Sequence, residues 1–192
     1  MVATNSAMVQ LGTKIPLFSL KEVTTHEEIT VHTFDGKKGL LVMFICCHCP
    51  YVKHVQEELS KIGKDFENAG LGILAINSND TIQYPDDSPQ NMKQMAKNLD
   101  FRFPYGYDET QKVAQAFQAV CTPDFFLYDD QRCLVYRGQL DDSRPGNGKP
   151  VTGKELREAI QALLSGNSIN SNQKPSLGCS IKWKSSEVSI FH

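Results

Sequence analysis

The run Cys46-Cys47-His48-Cys49-Pro50 gathers three cysteines and a histidine within four positions, and no other stretch of the chain concentrates reactive side chains in this way. Cys46 and Cys49 have the C-x-x-C spacing. At the start of a helix this spacing lets one thiolate attack a disulfide while a second thiol, one turn away, resolves the mixed disulfide. The expected order is Cys46 as attacker and Cys49 as resolver, with His48 between them able, as a cation, to favour the thiolate. Two other readings of the cluster stay open. The thiols could pack simply as small apolar side chains. Alternatively Cys46, Cys47, His48, Cys49 and His54 could hold zinc, although ligands from one short segment rarely converge tetrahedrally. The expectation is no metal and no bound cofactor.

Such a motif needs a rigid strand ending before it and a helix starting after it. Residues 39–45 are continuously apolar, as in a strand buried on both faces of a largely parallel sheet. From 50 to 67, Val52, Val55, Leu59, Ile62 and Phe66 recur every three or four residues, which predicts an amphipathic helix stopped at Ala69-Gly70. The junction between the two puts the cysteines where unpaired N–H groups and the helix dipole favour negative charge. Around this unit the pattern predicts a hairpin over 15–34 before the Asp35-Gly36 turn, a buried strand over 71–76 and a polar loop over 77–89. Helices over 91–99 and 110–117 flank a strand at 101–105, and strands 124–128 and 133–138 enclose a turn. A last helix, 152–164, opens on a capping box from Thr152 to Glu155. The acidic pairs Asp86-Asp87, Asp129-Asp130 and Asp141-Asp142 lack calcium-loop spacing and read as solvated turn residues. Alternating strands and helices imply an α/β sandwich with a central mixed sheet.

Composition narrows the partners. With 20 Lys plus Arg against 22 Asp plus Glu among 192 residues, the formal charge of −2 gives no basic footprint for nucleic acid or an anionic membrane. The longest apolar run, 40–47, is far short of the roughly 20 residues that span a bilayer. The first ten residues lack the pattern of a secretory signal, so the expected location is cytoplasmic. Six cysteines in a chain large enough to fold without staples argue against a disulfide scaffold.

Two further segments complete the pattern: Val120-Cys121-Thr122-Pro123-Asp124 before the late hairpin, and Gly178-Cys179-Ser180-Ile181-Lys182-Trp183 near the end. With the C-x-H-C-P run they resemble the thioredoxin-fold superfamily, in its peroxiredoxin/thioredoxin-like branch, over residues 11–165. More narrowly they are similar to an uncharacterised redoxin, or AhpC/TSA-type, group. The resemblance implies a three-layer sandwich with an N-terminal hairpin, a domain over 1–165 and a tail, 166–192, docked on it. It implies a cis Thr122-Pro123 bond against the C-x-x-C, with His48, Pro50, Thr122, Pro123 and Cys121 shaping the site. The implied activity is thiol–disulfide exchange through a reversible Cys46–Cys49 disulfide, on protein or small-molecule disulfides and thiols, with a separate electron donor.

A peroxiredoxin-like thiol peroxidase is the alternative, and a non-catalytic metal-binding or interaction domain a further one. Two departures bear on the choice. No carboxylate lies in 39–45 to deprotonate the resolving thiol, so the base is unassigned. Where the peroxidases carry a threonine and an arginine, Cys46 and Pro123 stand. Cys121 is expected to face the motif, to pair with another thiol or merely pack. Cys179 is expected either to take part in redox chemistry or to anchor the tail beside Trp183, while Cys133 is expected in the core and Cys47 as a bystander.

Overall fold

The apolar run before the motif forms strand β4 (Gly39–Phe44), and the amphipathic segment after it forms helix α1 (Pro50–Phe66). The computed structural model describes residues 3–185. β4 lies between β5 (Leu71–Asn77), with which it runs parallel, and β8 (Asp124–Asp129), with which it runs antiparallel. These belong to a seven-stranded mixed sheet ordered β3-β2-β6-β5-β4-β8-β9, where β2 is Ser19–Glu22, β3 Glu28–Thr30, β6 Tyr105–Tyr107 and β9 Leu134–Tyr136.

Side-chain alternation along β4 explains the three layers. Leu41 and Met43 point into a core with Val52, Leu59 and Ile62 of α1, Met92 of α2 (Pro89–Asn98), and Leu156 and Ile160 of α4 (Lys154–Leu164). Leu40, Val42 and Phe44 point the other way, against Val113 and Phe117 of α3 (Lys112–Phe117) and against Phe34. Leu40 through Phe44 have no exposed surface. Each apolar side chain so buried contributes about 1.5–3 kcal/mol, which fixes the end of β4, and with it the motif, as a rigid point.

A second, three-stranded sheet has the order β1-β10-β7, all antiparallel: β1 is Ala3–Asn5, β7 Cys121–Thr122 and β10 Leu177–Ser180. It brings the two ends of the chain onto the segment that precedes Pro123. The segment after β10 continues this docking, since Ile181 donates its N–H to Val120 O and Lys182 to Asn79 Oδ1. The last residues of the expected tail, 186–192, lie outside the described residues.

Several elements differ from expectation for identifiable reasons. The hairpin's second strand ends at Thr30 and Val31–Phe34 is a 3-10 helix that drops Val31 and Phe34 into the core. β6 starts at Tyr105 because Pro104 has no N–H for the ladder, while Phe101 and Phe103 stack at 4.5 Å. The expected capping box at Thr152 does not form. Asp141 takes its place, accepting the N–H groups of Thr152 and Gly153 at 2.6 and 2.7 Å, and Glu155 turns to Gln139 instead. Asp141 and Asp87 are accordingly buried rather than solvated, and Cys133, expected in the core, is only half-buried, beside Lys14.

Candidate active site

The site is built where β4 ends and α1 begins. Pro50 occupies the first turn of α1, where a missing N–H costs nothing, and Cys49 is the residue that caps the helix. Facing it is β7, followed by the Thr122–Pro123 peptide bond, which is cis as expected. Thr122 touches both thiols: its Oγ1 lies 3.3 Å from Cys46 Sγ, and its carbonyl accepts from Cys49 Sγ at 3.2 Å. The two thiols influence each other's ionisation. Both have zero exposure.

Their surroundings separate them. Cys49 is drawn below the ordinary thiol range, to about 5, first by the Cys46 thiol that donates to it, against the cost of burial, and then by the Cys179 thiol and the N–H groups of Val52 and Cys179. The Thr122 carbonyl serves the protonated form alone, and these four donors outnumber it. Cys46 moves the opposite way: its proton is held by the hydrogen bond to Cys49, by burial and by the negative charge of Asp87. Cys47, beside them, is pushed up to about 12 by burial and then by Asp87. The surroundings thus favour the charge on Cys49, whereas spacing alone points to Cys46 as the attacker.

Asp87 was not among the expected site residues. It closes the 3-10 turn Pro85–Asp87 and is fully buried. Its Oδ1 accepts the N–H groups of Cys47 and His48 at 2.7 and 3.0 Å, and its Oδ2 accepts Asn79 Nδ2 at 2.7 Å and His48 Nδ1 at 2.5 Å. A carboxylate can only accept here, so the His48 proton sits on Nδ1. Nε2 is buried, and no partner for it is found among the described residues. Tyr84 stacks on the ring at 5.5 Å and fixes its plane. His48 is thus oriented by a buried carboxylate.

Cys46 Sγ, a His48 ring nitrogen and an Asp87 oxygen lie within 4.8 Å of one another. They make a poor zinc site. An ion bound by both His48 Nδ1 and Asp87 Oδ2 would see atoms 2.5 Å apart at an angle of roughly 70°, far from tetrahedral, and the carboxylate is already saturated by donors.

The remaining cysteines divide in the same way. Strand alternation sends Thr122 toward the motif and Cys121 to the other side of β7, where its thiol donates to Pro123 O at 3.7 Å and burial raises its pKa. Cys179 is brought into the site, opposite Thr122 in the β10–β7 register. Below Pro123, Asp124 and Arg137 form a fully buried ion pair, with the Arg137 guanidinium 3.7 Å over the Phe126 ring. Desolvation pushes the Asp124 carboxyl up and Arg137 opposes this, so the pair ties β8 to the end of β9 directly behind the cis bond.

A paired-thiol motif at the head of the first long helix, set against a cis proline and carried on a mixed sheet with four α-helices among the described residues, defines a thioredoxin-like protein. Residues 11–137 match the AhpC/TSA family, and the chain belongs to that family. Among solved structures, an uncharacterized conserved protein of Geobacillus kaustophilus is 52% identical with a TM-score of 0.94, over 97% of this chain and 98% of that one. A hypothetical protein of Sinorhizobium meliloti is 44% identical, TM-score 0.93, over 95% and 99%. The thioredoxin domain of a thiol-disulfide oxidoreductase from Bacteroides vulgatus shares the fold at 16% identity, TM-score 0.57, over 68% and 89%. No curated protein matches the chain. No helix among the described residues is long and apolar enough to cross a membrane.

Proposed function

We propose that the chain is a thiol–disulfide oxidoreductase working through a reversible Cys46–Cys49 disulfide. The observation that carries this reading is that both thiols at the head of α1 meet the same residue, Thr122, Cys46 Sγ at 3.3 Å from its Oγ1 and Cys49 Sγ at 3.2 Å from its carbonyl, beside the cis Thr122–Pro123 bond. Cys49 attacks as thiolate. A new bond forms between its sulfur and one substrate sulfur, and the other substrate sulfur leaves with the electron pair and takes a proton. Cys46 then attacks the Cys49 sulfur, expels the second substrate thiolate and closes the Cys46–Cys49 bond.

For this second step Cys46 must lose a proton that its surroundings hold firmly. We assign the His48 ring as the acceptor and Asp87 as the residue that positions it, because one ring nitrogen lies within 4.8 Å of the Cys46 sulfur and Nε2 is the nitrogen without a partner among the described residues. This fills the place of the base that β4 does not provide. Protein or small-molecule disulfides are the substrate class, and a thiol donor outside the chain reopens the disulfide.

The test is a titration of the purified protein in poised thiol buffers, with acid quench, alkylation and peptide mapping of all six cysteines. Closure of Cys46–Cys49 is expected between roughly −270 and −120 mV, the range of dedicated oxidoreductases. Failure to form that bridge at any poise would overturn the reading.

A further inference from the structure

Cys179 is the one thiol in the site that comes from a distant part of the chain. It is carried on β10, paired opposite Thr122, and is 2% exposed. β10 approaches β7 so closely that a Cβ on Gly178 would lie 2.0 Å from Thr122 O. Only glycine permits that approach, and the approach is what delivers the next residue, Cys179, to the motif. There it joins Cys46 and Cys49 in one buried cluster. Of these three thiols Cys49 is the one whose ionisation both others influence, and so the one with which either neighbour makes a disulfide. β10 is held on both edges, by β1 and by β7, and Ser176 before it donates to Pro123 O at 2.8 Å.

We propose that Cys179 is the third redox thiol of this protein, exchanging with the Cys46–Cys49 disulfide to give Cys49–Cys179 and so fastening β10 over the site. This rests on the oxidoreductase reading for the origin of the first disulfide. The exchange is balanced without any outside oxidant: the Cys179 sulfur bonds to Cys49, the Cys46–Cys49 bond breaks toward Cys46, and the proton lost by Cys179 ends on Cys46. Cys179 resists ionisation in the dithiol form, pushed up to about 12 by burial and then by its hydrogen bond and charge repulsion with Cys49. Once Cys49 is in a disulfide it carries no charge, and those last two restraints disappear. Oxidation of Cys49 thus releases the thiol that attacks it.

The experiment oxidises the full chain with diamide, which takes two electrons and two protons from a thiol pair, followed by acid quench, alkylation and peptide mapping. The Cys46→Ser and Cys46→Ala variants are expected to form an intramolecular Cys49–Cys179 disulfide. Because that bond joins distant parts of the chain, Tm should rise on the order of 5–10 °C over the reduced form. The wild type is expected to give both disulfides, and Cys179→Ser only Cys46–Cys49. A wild type that closes Cys46–Cys49 but never yields a Cys49–Cys179 peptide, in variants that melt cooperatively, overturns this inference and leaves the oxidoreductase reading standing. A Cys49–Cys179 bridge in the variants with no Cys46–Cys49 bridge in the wild type overturns the oxidoreductase reading and the exchange with it, and leaves only the proximity of Cys49 and Cys179. Should both Cys46 variants fail to fold, the wild-type map decides alone, by the presence or absence of the Cys49–Cys179 peptide.

Discussion

Cys46 and Cys49 stand three residues apart on one loop, equally buried, yet the protein surrounds them with opposite chemistry. Around Cys49 the Cys46 and Cys179 thiols and the N–H groups of Val52 and Cys179 draw the pKa down. Around Cys46 the protein places the negative charge of Asp87, which resists ionisation, together with the His48 ring to which we assign the proton. The spacing is symmetric and the surroundings are not. In a paired-thiol site, then, the division into attacking and resolving thiol follows from which sulfur meets hydrogen-bond donors and which meets a base.

The strongest way to break this contrast is to remove each sulfur in turn. Cys49→Ser is expected to abolish disulfide reduction, falling to the background of the uncatalysed exchange. Cys46→Ser should instead keep the attacking thiolate and accumulate a mixed disulfide with a small disulfide such as oxidised glutathione, read by intact mass. If the adduct accumulates on Cys46 in Cys49→Ser and not the other way round, the assignment is reversed and spacing was the better guide.

A smaller effect, on one side of the comparison, is expected from Asp87→Asn, which keeps the shape of the side chain but removes its charge. With the imidazole no longer fixed by a carboxylate, resolution of the mixed disulfide by Cys46 should slow by about 100-fold, the lower end of general-base contributions, and lose its pH dependence. The first step, attack by Cys49, should change little. An unaltered single-turnover resolution rate would remove His48 and Asp87 from the mechanism.

How much of this was legible beforehand differs between the two thiols. β4, α1 and the C-x-x-C at their junction follow from local patterns, an apolar run and a helical period, because burial on a sheet and on a helix face leaves those periods in the sequence. The base does not. Nothing local marks Asp87 as buried and Asp86 as exposed; the difference arises when a 3-10 turn carries the loop after β5 back over the motif. The only hint lay in the loop itself, whose polar residues Asn77, Asn79 and Asp87 form one hydrogen-bonded group. Likewise the pairing of β10 with a two-residue strand far upstream has no periodicity to read, and the segment was expected to dock without any indication of where. The inward turn of Asp141, which displaced the capping box at Thr152, has the same cause: a carboxylate reaching from a distant loop outcompetes a local cap.

On the Cys49 side, Gly178→Ala probes the donors from β10 without touching any sulfur. The added methyl cannot fit against the Thr122 carbonyl, so β10 must withdraw and take the Cys179 N–H and thiol away from Cys49. A hydrogen bond to a charged group is worth about 1.5–3 kcal/mol, so losing one should raise the Cys49 pKa by about one to two units. An unchanged Cys49 titration would mean that α1 and Cys46 alone hold the thiolate.

The finest test is the wild-type titration itself, followed by thiolate absorbance, which needs no reagent to enter the buried site. Cys49 is expected to remain ionised down to about pH 5, whereas the unfolded chain titrates near the ordinary thiol value of about 8.5. A depressed folded pKa stabilises the native state most above the unfolded pKa and loses that contribution as pH falls toward 5. Cys47 and Cys179, both pushed up to about 12, act with the opposite sign, and their contribution is lost as pH rises from the ordinary thiol value through 12. Thiol-linked stability should therefore rise from pH 5 and decline again in strong alkali, and Cys49→Ser should remove the rising limb while leaving the alkaline decline. If Cys46→Ser removes the rising limb instead, the thiolate belongs to the other cysteine.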